Sequence, residues 1–172
     1  MRFFLSAKAW HLFLTLFGIV LSTQVLTLQS SRPHVAIAVG TLILAAVYFG
    51  WLWAIAAEAN RKLAPALRSS TGWMGIGLAY AVVYVIGALI FLPDSTETGR
   101  GVPGFIVPMH LAAMCAIFYA LLFTAKRLVT LDRKQRVNFL EYSGPFFLLW
   151  FFPVGVWFIQ PKVNKLLGSS DA

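Results

Sequence analysis

Charge is what this chain has least of. Only 12% of its 172 residues are charged, against about 25% in soluble domains. Acids are scarcer still, with six Asp and Glu against 14 Lys and Arg. Together with an apolar share of 59%, this deficit excludes an ordinary soluble fold. The one cysteine, Cys115, forms neither an intramolecular disulfide nor a cysteine metal cluster. Inside an apolar run it reads as a small buried or lipid-facing residue. No His-Glu-x-x-His and no Gly-x-Ser-x-Gly occurs, so the familiar signatures of zinc and serine hydrolases are missing. No ionisable Asp, Glu, Lys or Arg falls in the middle of an apolar run, which argues against a proton-coupled pump.

What the chain has instead is length without charge. Five runs lack Asp, Glu, Lys and Arg: Trp10–Leu28, Val35–Ala57, Trp73–Leu92, Phe105–Ala125 and Pro145–Ile159. The first four meet the roughly 20 residues a helix needs to cross the hydrocarbon core. The sequence therefore predicts an all-α integral membrane protein, a single transmembrane domain of five helices over about 10–28, 35–57, 73–92, 105–125 and 143–160. The connections are too short for a soluble domain. Lys8 precedes a first run too long for a signal peptide's apolar region, and no small-residue cleavage site follows it, so an uncleaved first helix is expected.

The net charge of +8 is distributed by side. The N-terminal segment, second loop and fourth loop carry ten Lys and Arg, against Arg32 and Arg100 in the first and third loops. Retention of cations on the cytoplasmic side puts the N-terminus inside. The fifth run is short, contains Pro153 and Gly155, and leaves two alternatives. Crossing, with a proline-associated kink, puts Lys162 and Lys165 outside; re-entry keeps them inside but needs protein cover for the backbone. Crossing is the expectation, because four helices offer little cover. The basic residues sit in short loops without interleaved aromatics, so the expected partner surface is the lipid bilayer and not nucleic acid. The outer connection Pro93–Gly104 reads as a turn or cap. Lys126–Gly144 reads as a cytoplasmic extension of the fourth helix followed by an interfacial stretch.

Polar and small residues form stripes. His11, Thr15, Gly18 and Ser22 lie on one face of the first helix. Gly77, Tyr80, Ala81, Tyr84 and Ala88 form a face of the third. His110, Ala113, Ala120 and Thr124 do so on the fourth, and Ala38, Thr41, Ala45 and Tyr48 on the second. Such stripes let membrane helices approach closely and hydrogen-bond across the contact. The alternative is a groove for a lipid, quinone or pigment with Tyr80, Tyr84 and His110 as polar contacts. Histidine ligation of a cofactor has weak candidates in His110 and His34, with Tyr84 beside them. His11 lies at the other membrane depth, and two histidines without a carboxylate or thiol make a poor metal site. No metal and no cofactor is expected.

The most distinctive stretch is Phe152-Pro153-Val154-Gly155-Val156-Trp157-Phe158-Ile159-Gln160-Pro161-Lys162-Val163-Asn164. It resembles the C-terminus of small, uncharacterised multi-pass bacterial membrane proteins with a Phe-Pro-x-Gly-x-Trp-x-Ile-Gln-Pro-x-x-Asn pattern. Ala9-Trp10-His11-Leu12-Phe13-Leu14 is similar to their start. The resemblance implies a bacterial cytoplasmic (inner) membrane and transfers no activity. From the residues themselves, Pro153 should bend the helix, Gly155 permit close approach, and Trp157 and Gln160 meet the interface. Alternatively, Gln160 and Asn164 form a partner-docking element. The expected role is that of a non-catalytic accessory, assembly or scaffold protein, partnered by another membrane protein or by its own copies. A transporter or binder of a lipid-like molecule is the alternative, and an enzyme using His34, His110 or Tyr84 a third.

Overall fold

A computed structural model describes residues 2–97 and 103–168, and among them every element is helical. In chain order these are α1 (Arg2–Ser6), α2 (Ala9–Gln29), α3 (Pro33–Lys62), α4 (Gly72–Glu97), α5 (Ile106–Arg133), α6 (Phe139–Trp150) and α7 (Phe152–Val163). A 3-10 turn over Pro65–Leu67 joins α3 to α4, and a π-helical turn over Asn164–Gly168 follows α7. Four helices are long and apolar enough to cross a membrane: α2, α3, residues Gly72–Ile90 of α4, and α5. At about 1.5 Å per residue each spans close to the ~30 Å hydrocarbon core or more. Helix α4 continues past Pro93 to Glu97. The remainder of the expected outer turn, residues 98–102, lies outside the described residues.

Local chemistry sets the boundaries. Pro33 opens α3, where its missing N–H costs nothing. Helix α5 ends at Lys134, which adopts the left-handed conformation (φ 55°) that commonly terminates helices. Asn138 and Glu141 then form a capping box at the start of α6. The Glu141 N–H donates to Asn138 Oδ1 (3.2 Å) and the Asn138 N–H donates to Glu141 Oε2 (2.7 Å). Glu141 also pairs with Arg133. The acid that intrudes on the fifth apolar segment is thus a helix cap at the charged end of the bundle.

The expected single fifth helix over 143–160 is two helices. The chain breaks at Phe151 (φ −80°, ψ 57°), and Pro153 lies in the first turn of α7, so it starts a helix and does not bend one. Pro161 does not end α7, which runs on to Val163. Both outer ends of the α6–α7 pair return to the C-terminal end of α5. Arg133 pairs with Glu141 at the start of α6, and Asp132 pairs with Lys162 at the end of α7 (2.7 Å). The two helices form a hairpin, and Gly155 is where its arms touch. A Cβ there would overlap the Leu148 carbonyl oxygen. That is a backbone atom, which cannot swing aside.

Helices α2 and α3 form one antiparallel pair, α4 and α5 another, with α3 against α5 and α7 against α2. At Gly40 the α2–α3 contact leaves no room for a side chain, since an added Cβ would overlap Thr23 Oγ1. Burial is uneven along the bundle. Trp51, Leu52, Ala54, Ile55, Ala56 and Ala59 of α3 are all at most 1% exposed, and they pack with Met74, Ala120, Leu128, Leu149, Val156 and Ile159. These residues sit toward the end where α3 and α5 finish. Toward the other end Leu21, Val25, Val35, Ile37, Val39 and Ile43 are exposed. Apolar surface this extensive is foreign to water-soluble monomers and suits an acyl-chain surround.

Gly155→Ala should destabilise the fold by about 3 kcal/mol or prevent its recovery, because overpacking against backbone has no cheap relief. Gly18→Ala, with nothing within 4 Å of the added methyl, should be neutral or mildly stabilising through helix propensity. Thermal melting of both variants in mild detergent checks the contrast; equal losses would refute the hairpin contact.

Candidate functional site

The buried polar centre of the molecule is the Gln160 side chain. Gln160 is 0% exposed, and its amide is saturated by three elements. Its Oε1 accepts from the Trp51 indole N–H (2.9 Å). Its Nε2 donates toward the Phe4 carbonyl, the Ala7 carbonyl and Asn164 Oδ1, all at 2.9 Å. Two amide hydrogens therefore serve three acceptors. Asn164 Nδ2 adds a bond to the Ala7 carbonyl (3.1 Å). The carbonyls of Phe4 and Ala7 are at the C-terminal end of α1, where a helix leaves acceptors without partners. Gln160 and Asn164 act as their cap. The sequence expectation put Gln160 at the interface; the structure puts it in the core, and both amides of the proposed docking element are bonded within the chain.

A second polar group repairs the break before α7. In a continuous helix the Leu149 carbonyl would accept from the N–H of residue 153, which in Pro153 does not exist. The Tyr48 hydroxyl of α3 donates to that carbonyl at 2.7 Å. The Tyr48 ring also packs on Phe152 edge to face, with centroids 5.0 Å apart. Tyr48 was legible only as part of a stripe of small residues on its helix. Nothing in the sequence links it to a proline 105 positions later.

The α4 stripe faces α5. Gly77 meets Ala116 at an ordinary contact distance (3.4 Å for an added Cβ), and the Tyr80 hydroxyl donates to the Met109 carbonyl (3.1 Å). The Tyr84 hydroxyl and His110 Nδ1 share a hydrogen bond of 3.0 Å. Tyr80, Tyr84 and His110 therefore come together as a contact between α4 and α5. His34 does not join them: it is exposed at the start of α3 and makes no bond to His110 among the described residues. Among the described residues no three His, Cys, Asp or Glu side chains gather at metal-binding distance.

The α2 stripe behaves oppositely. Leu12 and Leu16, each 2% exposed, face the bundle, while His11, Thr15 and Ser22 are exposed and Gly18 half-buried with open space above it. Thr15 returns its hydroxyl to the His11 carbonyl (2.8 Å), and His11 Nδ1 accepts from the Lys8 N–H (3.3 Å). Ser22 makes no side-chain hydrogen bond among the described residues. This face is polar, smooth and turned outward. Trp157, half-exposed on α7, packs on Phe13 of α2 with centroids 5.7 Å apart.

An apolar groove of about 320 Å³ opens between α2, α3, α5 and the α6–α7 break. Leu16, Thr41, Ala45, Tyr48, Ile117, Trp150 and Phe152 line it. Tyr80, Tyr84 and His110 are not part of it.

Replacing Gln160 by Leu keeps the volume but strands the Trp51 N–H and the Phe4 carbonyl, and leaves the Ala7 carbonyl to Asn164 alone. At about 1–3 kcal/mol per unsatisfied buried group, a marked loss of stability is expected, larger than that from Asn164→Ala, which removes a single cap. Melting of the two variants in detergent orders them; the reverse order would mean that Asn164, and not Gln160, holds α1. No protein-family model, no curated protein and no solved structure matches this chain.

Proposed function

We propose that the chain is a non-catalytic multi-pass membrane protein of a bacterial cytoplasmic membrane, serving as an accessory, assembly or scaffold subunit. The observation that carries this reading is the outward face of α2. His11, Thr15, Gly18 and Ser22 share the one-face spacing of a helix contact yet, among the described residues, have no helix against them. Polar side chains facing lipid are costly, whereas a second helix laid on a small-residue stripe packs closely and bonds them. The occupant we assign to this face is a transmembrane helix of another membrane protein.

In this reading four helices cross, with the N-terminus in the cytoplasm, and α6–α7 is a re-entrant hairpin entered from the cytoplasmic side. Two features support this placement. Lys8, Lys62, Arg133 and Lys162 collect at one end of the bundle, as retention of cations inside requires. The hairpin's backbone has cover from Tyr48, Gln160 and the buried faces of Phe146, Leu149, Val156 and Ile159, which meets the condition for irregular backbone at membrane depth.

A second reading is favoured by the apolar groove. At about 320 Å³, it is of a size to take part of an acyl or isoprenoid chain, with Tyr48 and Thr41 as its polar contacts.

Gly18→Leu should leave the protein folded but abolish co-migration with its partner in native separation after mild extraction. Unchanged co-migration would remove the α2 face from the interaction, and a band of this chain alone would indicate a self-association or ligand role. A lone 19.0 kDa species retaining one enriched lipid or quinone would favour the second reading. For topology, a cysteine at Leu166, in a chain with Cys115→Ala, should be labelled from the same side as one at Lys134. Labelling from opposite sides would restore a crossing fifth segment.

A further inference from the structure

At the charged end of the bundle three segments enclose a pocket of about 280 Å³. Arg68 comes from the α3–α4 connection, Lys126, Arg127 and Thr130 from the last turns of α5, and Arg136 from the α5–α6 connection. Four cations line it and no acid does. The acids of this end are engaged elsewhere: Glu58 with Arg61, Asp132 with Lys162, and Glu141 with Arg133. Among the described residues none of the four pocket cations has an ion-pair partner.

Arg127 is the most constrained of them. It is only 6% exposed. Its Nη1 donates to the Leu67 carbonyl at 2.7 Å, and its guanidinium carbon lies 5.2 Å from the centre of the Phe123 ring. Its Nε–H is buried without any hydrogen-bond partner among the described residues. A buried guanidinium with a vacant donor and three cationic neighbours is an arrangement that a chain does not gain from unless an anion completes it.

The loop that brings Arg68 is held independently of any ligand. Asn60 clasps Ser69 through two bonds, its Nδ2 to the Ser69 carbonyl (2.9 Å) and its Oδ1 from the Ser69 N–H (3.0 Å). Arg68 itself donates Nε to the Leu63 carbonyl (2.8 Å) and Nη2 to the Arg61 carbonyl (2.9 Å). The site is therefore built before the anion arrives, so binding pays little ordering entropy.

We propose that this pocket binds a phosphate group carried by an anionic ligand. Guanidinium groups with a lysine are the donor set that matches several phosphate oxygens at once. The pocket lies just beyond the apolar part of α5, at the depth where the headgroups of a surrounding bilayer would stand. A phospholipid and a soluble ester both carry this phosphate chemistry, and the test separates the two.

The test uses the full chain in neutral detergent and follows thermal melting on addition of dioleoylphosphatidylglycerol, dioleoylphosphatidylcholine, sodium oleate or inorganic phosphate. Phosphatidylglycerol is expected to raise the melting temperature, while phosphatidylcholine and oleate, lacking either net charge or phosphate, do not. A matching rise with inorganic phosphate alone supports the site and identifies a soluble ligand. In Lys126→Gln/Arg136→Gln the affinity for the stabilising species should fall about thirtyfold, at ~1 kcal/mol per cation removed. If that pair does not melt cooperatively, Arg136→Gln alone, at an exposed position, should weaken binding about fivefold. No rise with either phosphate source, an equal rise with oleate, or an undiminished response in the variants would overturn the proposal.

Discussion

One side-chain amide holds this fold together. Gln160 ties the indole of α3, the carbonyl end of α1 and the π-helical turn after α7 into a single knot. In a protein with so few polar groups such a knot has unusual leverage. Apolar surfaces alone do not tell a membrane helix which neighbour to choose, because lipid tails are as apolar as leucine. Directional bonds to buried donors and acceptors do, and the cost of leaving them unmade is what makes the choice firm. The same logic explains Tyr48, whose hydroxyl supplies the proton that Pro153 cannot.

The long helices were legible because crossing length and absence of charge are properties of a segment by itself. Which face each turns inward was not. On α4 the stripe of Gly77, Tyr80 and Tyr84 does meet a neighbour, but on α2 the equivalent stripe looks out and Leu12 and Leu16 look in. Side-chain type does not distinguish these cases when both environments are apolar. The hairpin at Phe151 was hidden for another reason. A proline and a glycine in an apolar run are compatible with a kink, a break or a re-entry, and the outcome depends on groups remote in sequence: Tyr48 to satisfy the backbone, Asp132 and Glu141 to draw both ends back. Of the candidate site residues, Gln160 and Asn164 stood out in the sequence, but as surface groups. Their real partners are main-chain carbonyls, which carry no sequence signature at all.

The bundle is consequently two-ended in character. The end with the cations is closed, with a tight core, a clasped loop and capped helices. At the other end each pair of helices is held within itself, by Gly40 against Thr23 and Tyr84 against His110, while the surrounding side chains are largely exposed. The accessory role proposed above asks for a rigid base and accessible arms, and the division of packing here supplies both.

The knot also has a temporal side. The Phe4 carbonyl and the Gln160 amide that caps it are 156 positions apart. At about 5–20 residues per second, the ribosome takes roughly ten to thirty seconds to make the second after the first. During that interval the four helices long and apolar enough to cross a membrane, α2 to α5, are made while the carbonyls at the end of α1 lack their cap. Maturation of this protein therefore closes in a fixed order: α1 can pack on α3 early, but its carbonyl end is capped only when α7 arrives, and a chain stalled before α7 would be left unsealed.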